Sequence, residues 1–142
     1  MSPFREVEIE RPGRLLLRSM PGLDERLDTA LEWMRLEEVT VVVCLLDDAE
    51  IADANEEYLA AIQRNDPRLP LLLRFPVRSP RAAANRDLAR DVAVALDEGA
   101  TVLIHCKYGT SRTPALARAV LRQLGFSLQQ MRAFYSSAWP TR

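Results

Sequence analysis

The chain is poor in histidine and lysine: its 142 residues include one of each, so nearly all of the 19 Lys and Arg side chains are arginines. One histidine and two cysteines are too few for a zinc centre built from Cys and His ligands. The hydrophobic runs also stay well short of the roughly 20 residues of a membrane-spanning helix. Composition therefore argues against a metal centre and against a membrane span.

A net charge of −1 and a hydrophobic content of 48% are typical of a globular chain, and they argue against disorder and against a broad nucleic-acid-binding surface. The polar N-terminus does not resemble a signal peptide, and two cysteines fit a reducing compartment. We therefore expect a cytoplasmic protein. The length predicts one domain, residues 1–142, with a single core.

Apolar and polar segments alternate along the chain as strands and helices do. Runs rich in β-branched residues or leucine predict strands, and apolar residues at helical spacing predict helices. The predicted strands lie at 14–18, 39–46, 71–77 and 101–104, and the predicted helices at about 24–37, 51–62, 88–96, 116–124 and 128–135. The predicted fold class is therefore α/β, a single domain with a mostly parallel central sheet flanked by helices.

The chain does contain one dense cluster of reactive residue types. The lone histidine and the lone lysine flank Cys106 in the segment His105–Thr113, which follows the apolar run Thr101–Ile104 and precedes a predicted helix. Ligands of open α/β sheets bind at the carboxyl ends of the strands, where this segment lies. The segment is therefore the predicted functional site.

The loop in this segment has the properties of a phosphate cradle. Backbone N–H groups of a loop between a strand and a helix can converge on an anion, and the first turn of the helix adds unpaired donors. No proline interrupts the loop, and Gly109 permits a turn that a Cβ would hinder. The predicted phosphate-binding residues are Lys107, Tyr108, Gly109, Thr110, Ser111 and Arg112, whose guanidinium can take two phosphate oxygens.

Cys106 lies at the base of this predicted cradle. Helix N-termini and nearby cations favour the thiolate form of a cysteine, and a thiolate beneath a bound phosphate can attack it to form a phosphocysteine. The alternative is a cysteine and a histidine that only pack in the core, which leaves Arg112 and the donor-rich loop unexplained. Cys106 is therefore the predicted nucleophile.

The run from His105 to Thr113 resembles the signature H-C-x-x-G-x-x-R-[S/T] of the cysteine-dependent protein tyrosine and dual-specificity phosphatases. The segments 15–22 and 42–50 are similar to the early strands of small bacterial phosphatases that resemble the kinase-associated group. The resemblance implies a dual-specificity-phosphatase-like fold, and hydrolysis of phosphotyrosine or phosphoserine/threonine in proteins, or of small phosphomonoesters. It implies catalytic roles for Cys106, Arg112 and Thr113, the last as donor to the departing thiolate, with no cofactor. His105 would orient the loop.

The chain departs from that family where the general acid is expected. The family carries an Asp shortly after a Phe/Tyr-Pro-Ile/Val element; here the element is Phe75-Pro76-Val77, and Ser79 stands at the position of the Asp. A serine hydroxyl is too weak an acid for this role at neutral pH, and general acid catalysis contributes about 10²–10⁴-fold.

Three explanations for Ser79 stay open. Another carboxylate, from Asp47, Asp48 or Asp87, replaces the missing acid; or the enzyme hydrolyses only substrates with good leaving groups; or the loop binds phosphorylated partners without turnover. Asp47 and Asp48 also fit the first turn of a helix, where carboxylates are favourable without any catalytic role. Arg78 and Arg81 make the loop around Ser79 cationic, which could recruit an anionic substrate.

The substrate class is open as well. Lys107 stands where lipid-phosphatase relatives carry lysine, which allows a phosphoinositide or inositol phosphate substrate, although Thr110 departs from that pattern. A rhodanese-type sulfurtransferase is another alternative, but its loop between Cys and Arg is typically shorter. Cys44 is expected in the core, the alternative being a redox partner that forms a protective disulfide with Cys106. The sequence leaves the oligomeric state open.

Overall fold

The structure is a computed structural model that describes residues 4–136, with side chains described for residues 4–132. Within that part of the chain, strands and helices alternate for most of the length. The strands are β1 (Arg5–Val7), β2 (Arg14–Arg18), β3 (Val41–Cys44), β4 (Leu71–Arg74) and β5 (Thr101–His105). The helices are α1 (Leu27–Leu36), α2 (Asp48–Ala54), α3 (Glu56–Gln63), α4 (Pro80–Ala83), α5 (Arg86–Asp97), α6 (Arg112–Gln123) and α7 (Leu128–Ser136).

The strands form one sheet in the order β1-β2-β5-β3-β4, in which β1 is antiparallel to β2 and all other neighbours are parallel. Since β5 is central, its carboxyl end lies between those of β2 and β3. The register pairs His105 with Arg18 on one side and with Cys44 on the other. The predicted α/β fold class with a mostly parallel central sheet is confirmed.

The central strands are buried on both faces. All five side chains of β5 are buried, and since alternate side chains of a strand point to opposite faces, both faces of the sheet are covered here. Val42 and Val43 of β3 are also fully buried, and each side chain of this size contributes about 1.5–3 kcal/mol when removed from water. Helices α5 and α6 pack on each other and on β5.

The prediction of one helix over 51–62 is wrong, because two helices share this stretch. Asn55 lies between α2 and α3 in an extended conformation, and its side chain accepts hydrogen bonds from the N–H groups of Glu57 and Tyr58. Its Nδ2 also donates to the carbonyl oxygen of Gly22 at 2.8 Å. Asparagine competes for backbone groups in this way, so it ends one helix and caps the next.

The sequence pattern did not predict two short elements, β1 and α4. Each is shorter than two repeats of its own period, so no periodicity can be recognised in it. Helix α4 is a single turn in which the Ser79 hydroxyl accepts a hydrogen bond from the N–H of Ala82 at 3.1 Å. Helix α5, predicted at 88–96, ends just before Gly99, which has a left-handed φ of +97°.

Within residues 4–136, no helix is long and apolar enough to cross a membrane. The described residues also contain no group of three or more His, Cys, Asp or Glu side chains placed to hold a metal ion. The assignment of residues 1–142 to one domain stays a prediction.

Candidate active site

The candidate site forms where β5 ends and the loop to α6 begins. Cys106 follows the last residue of β5 and is only 2% exposed. The loop 106–111 then leads directly into α6, whose first residue is Arg112. The sheet register therefore places the predicted nucleophile at the centre of the carboxyl edge, between the ends of β2 and β3.

Two hydrogen bonds orient the first peptide units of the loop. The Nδ1 of His105 contacts the carbonyl oxygen of Cys106 at 3.1 Å, and the N–H of Met20 donates to the carbonyl oxygen of Lys107 at 2.9 Å. In a trans peptide the N–H points opposite to the C=O. The N–H groups of Lys107 and Tyr108 therefore point away from His105 and Met20, as an anion nest requires.

At Gly109 the loop closely approaches the end of β2. Its φ is +78°, and a Cβ added there would lie 2.8 Å from the carbonyl carbon of Arg18 and 2.9 Å from the N of Ser19. Only glycine satisfies both the left-handed backbone and the close contact. The glycine of the signature is therefore explained by the packing of the loop on the end of β2.

A buried ion pair braces the segment that supports the loop. Arg18 is 5% exposed, and its Nη2 donates to Glu25 at 2.6 Å. The second carboxylate oxygen of Glu25 accepts from the N–H of Gly22 at 2.8 Å. These contacts tie the β2–α1 connection together behind the loop.

His105 is fully buried and lies in a fixed hydrogen-bonding environment. The Tyr58 hydroxyl is 2.8 Å from its Nε2, and its Nδ1 contacts the Cys106 carbonyl. A carbonyl only accepts, so Nδ1 carries the proton and Nε2 accepts from the Tyr58 hydroxyl. Burial lowers the pKa of His105 to about 3, so the ring is neutral at physiological pH. Its two hydrogen bonds are consistent with the predicted role in orienting the loop.

The Arg112 side chain is held in place by Glu50 and by the loop after β4. Its Nη1 donates to both carboxylate oxygens of Glu50 at 3.1 Å and to the carbonyl oxygen of Val77 at 3.0 Å. These contacts all use one nitrogen, so the edge formed by Nε and Nη2 has the geometry to bind two phosphate oxygens. Glu50 thus positions the predicted phosphate-binding arginine.

The remaining predicted residues lie on the loop or in the first turn of α6. Thr113 is fully buried, and its Oγ1 forms no hydrogen bond within the described part of the chain, so the predicted bond to Cys106 is not present in this structure. Thr110 and Ser111 are exposed. The Nζ of Lys107 lies 5.2 Å from the centre of the half-exposed ring of Tyr108.

Asp47, the first substitute considered for the missing acid, has two structural tasks. One carboxylate oxygen accepts from the N–H of Glu50 at 2.8 Å and caps α2, and the other pairs with Arg78. The cap hydrogen bond first, and then the charge of Arg78, lower the pKa of Asp47. A carboxylate held in its ionised form is a poor proton donor.

The other two candidates are also engaged elsewhere. Asp48 pairs with Arg74 at 2.9 Å, and Asp87 pairs with Arg90 at 3.3 Å within the first turn of α5. Ser79, at the position of the expected acid, serves as the cap of α4. The described contacts therefore assign a structural partner to each of these four residues, and they identify none of them as a general acid.

Cys44 is fully buried, as expected of a core residue. Burial raises the pKa of its thiol to about 11, which keeps it protonated and unreactive at neutral pH. Both cysteines are free. The alternative role as a redox partner of Cys106 stays a prediction.

Sequence reasoning missed the contacts that Glu50 and Tyr58 make in the site. Glu50 lies 62 residues before Arg112 in the chain, and Tyr58 lies 47 residues before His105. Both occupy helices that follow β3, whose carboxyl end adjoins that of β5. The predicted parallel sheet was the one signal that could have indicated these contacts. In such a sheet the residues that follow β3 lie at the same carboxyl edge as the loop.

The fold is similar to those of several solved phosphatases. A kinase-associated phosphatase whose catalytic cysteine is replaced by serine aligns with a TM-score of 0.69 and 15% identity, covering 92% of this chain and 81% of that chain. A putative phosphatase from Shewanella putrefaciens aligns with a TM-score of 0.58 and 17% identity, covering 96% and 80% of the two chains. The PTP-2 phosphatase of Cydia pomonella aligns with a TM-score of 0.58 and 20% identity, covering 96% and 80%.

No protein-family model and no curated protein matches the sequence. The structural similarity shows that the protein has the fold of the cysteine-dependent tyrosine and dual-specificity phosphatases. The resemblance seen in the sequence is thereby confirmed at the level of the fold. Identities of 15% to 20% carry no further information about activity, which depends on the site itself.

Proposed function

We propose that the protein is a cysteine-dependent phosphatase that hydrolyses phosphomonoesters of proteins through a phosphocysteine on Cys106. The observation that carries the proposal is the preset position of Arg112, whose guanidinium is held by Glu50 and by the Val77 carbonyl at the edge where Cys106 lies. A core cysteine needs no such arginine, whereas a bound phosphate does.

In the first step the sulfur of Cys106 attacks phosphorus and the bond to the leaving oxygen breaks. The N–H groups of residues 107–112 and the Arg112 guanidinium bind the other phosphate oxygens and stabilise the charge of the transition state. In the second step water attacks phosphorus, the P–S bond breaks, and inorganic phosphate and the thiolate are released. The Thr113 hydroxyl, which is buried in the first turn of α6 and has no hydrogen-bond partner among the described residues, donates to that thiolate.

The leaving oxygen lacks an assigned proton donor, which favours one substrate class. A phenolate, such as that of tyrosine with its pKa of about 10, leaves with less help from an acid than the alkoxide of serine or threonine does. With Ser79 in the place of an Asp, we expect phosphotyrosine and aryl phosphates to be hydrolysed faster than phosphoserine and phosphothreonine.

The same serine favours a second candidate function, a phosphoresidue-binding module without turnover. Such a module keeps the cradle and Arg112 and needs no acid. It predicts that a phosphotyrosine peptide binds the protein, that Arg112→Ala abolishes this binding, and that no phosphate is released.

Hydrolysis of para-nitrophenyl phosphate by the purified protein separates the two functions. We expect turnover that disappears in Cys106→Ser and persists in Cys44→Ala, and an acid-quenched reaction should contain phosphate bound to Cys106. Full activity of Cys106→Ser would disprove the mechanism. Binding of the phosphopeptide without any turnover assigns the protein to the binding module instead.

A further inference from the structure

A groove of about 320 Å³ lies between α4 and α6. It is lined by three alanines, Pro80 and three charged side chains, those of Arg81, Arg118 and Arg122. We call this feature the arginine groove.

The arginine groove concentrates positive charge on a protein whose net charge is −1. Among the described residues that line it, no Asp or Glu is present. Many arginines elsewhere on the surface are neutralised, as in the pairs of Arg35 with Glu32 and of Arg68 with Asp28. By contrast, no ion pair or hydrogen bond engages the side chains of Arg81 and Arg122 within the described part of the chain.

The arginine groove lies along the helix that begins with the phosphate-binding arginine, Arg112. Residues Arg112, Ala115, Ala119 and Arg122 follow each other at spacings of three and four, so they share one face of α6. At a rise of about 1.5 Å per residue, Arg118 lies about 9 Å and Arg122 about 15 Å along the helix from Arg112. Arg81 borders the same groove from α4, which follows the loop that contacts Arg112.

These distances match the reach of a peptide. An extended chain advances about 3.3 Å per residue, so positions about 9–15 Å along α6 from Arg112 correspond to peptide residues about three to five positions from a phosphorylated residue at Arg112. The small alanine side chains of the lining leave space for a peptide backbone, and guanidinium groups can bind carboxylates in forked geometry.

We propose that the arginine groove binds Asp or Glu side chains of the protein substrate, about three to five residues from the phosphorylated residue. This inference rests on the proposed phosphatase function and extends it to substrate selection. The acidic segment adds binding energy outside the reacting phosphate, so it lowers KM and leaves the chemical step unchanged.

The test uses phosphotyrosine peptides in matched pairs. The two peptides of a pair differ only in carrying Glu or Gln at positions three to five from the phosphotyrosine. One pair carries these residues before the phosphotyrosine, and the other pair carries them after it. In the wild type we expect the Glu peptide of one pair to have a kcat/KM about threefold to tenfold higher than its Gln counterpart, since each exposed ion pair contributes modestly. The double variant Arg81→Gln/Arg122→Gln should reduce this ratio to about 1. The matched control Arg35→Gln removes a charge at the far end of α1 and should keep it.

Para-nitrophenyl phosphate does not reach the groove, so its hydrolysis should be equal in the wild type and the double variant. A Glu-to-Gln ratio of about 1 in the wild type, or a ratio that survives in the double variant, overturns the groove proposal while the phosphatase function stands. If no substrate is hydrolysed, the phosphatase function fails by itself. Fluorescence anisotropy with the same peptide pairs then tests the groove. We expect the Glu peptide of one pair to bind the wild type with a Kd about threefold to tenfold lower than its Gln counterpart. Equal Kd values in the wild type, or a difference that persists in the double variant, overturn the groove proposal.

Discussion

Arg112 shows how a few hydrogen bonds determine what a reactive side chain can do. Because its Nη1 contacts both oxygens of Glu50 and the Val77 carbonyl, the guanidinium is oriented before a ligand arrives. A preset side chain loses less conformational entropy when phosphate binds, so more of the interaction energy appears as affinity. We therefore expect the affinity for phosphate to depend on Glu50 as well as on Arg112.

Replacing Glu50 by Gln tests this positioning role. The variant keeps the size of the side chain but loses the charge-assisted pair, and such hydrogen bonds exceed neutral ones by about 1 kcal/mol or more. We expect kcat/KM for an aryl phosphate to fall about tenfold, mainly through KM. Glu57→Gln, an exposed change on α3, is the control and should have no effect. If Glu50→Gln and the wild type have equal kinetics, Glu50 does not position Arg112 for catalysis.

Ser79→Asp tests whether the missing acid limits the reaction. Both residues are good helix caps, so α4 should form in the variant. We expect hydrolysis of an alkyl phosphate to rise about tenfold or more, with a new loss of rate at high pH as the carboxyl group ionises. Ser79→Asn caps the helix equally well but cannot donate a proton as an acid, so it should show no gain. A similar gain in both variants would point to a conformational effect instead.

At the scale of elements, the loop after β5 depends on a neighbouring segment for its shape. The N–H of Met20 anchors the Lys107 carbonyl, and Gly109 packs against the backbone at the end of β2. The β2–α1 segment is in turn braced by the pair of Arg18 and Glu25. The cradle is therefore a property of two connected elements and not of the signature alone.

Gly109→Ala tests this dependence, with Gly125→Ala as the matched control. Both glycines have a positive φ, +78° and +88°, but an added Cβ meets backbone within 3 Å only at Gly109 and has open space at Gly125. Left-handed backbone costs an alanine about 1–2 kcal/mol at either position. We expect Gly125→Ala to lose only this stability in urea unfolding, and Gly109→Ala to lose more and to lose phosphatase activity. Normal activity of a folded Gly109→Ala variant would contradict the packing.

The helices after β3 show where local patterns fail at this scale. Apolar residues continue at helical spacing through 51–62, so periodicity alone joins α2 and α3. The break comes from Asn55, which caps α3 and donates to Gly22 in the β2–α1 connection. The helix boundary therefore lies at a local cap that also contacts a distant segment.

At the scale of the whole molecule, the buried neutral His105 makes the stability of the folded protein depend on pH. Its pKa is about 3 in the folded protein and near the ordinary value of 6.5 in the unfolded chain. Between these values the unfolded state binds the proton and the folded state does not, so acid favours unfolding. The stabilising effect is fully present above pH 6.5 and is lost as the pH falls toward 3.

The free energy of unfolding should therefore decrease by up to about 1.4 kcal/mol for each pH unit below 6.5 because of this one residue. Urea unfolding at several pH values measures the slope. Glutamine at position 105 cannot titrate but can still hydrogen-bond to Tyr58. In His105→Gln the slope of unfolding free energy against pH should therefore be smaller, between pH 4 and 6, by the contribution of one proton, about 1.4 kcal/mol per pH unit. Identical slopes in both proteins would show that His105 is protonated in the folded state as well.

The sequence by itself determined the fold class and the loop from His105 to Thr113, because both depend on local signals. Strand and helix periods are read within a window of about ten residues, and the signature is contiguous. Only the tertiary structure decided which residues from elsewhere meet the loop: Glu50 at Arg112, Tyr58 at His105, and Arg81 beside α6. The carboxyl ends of parallel strands bring such residues together from far apart in the chain, and no local pattern specifies which of them will touch.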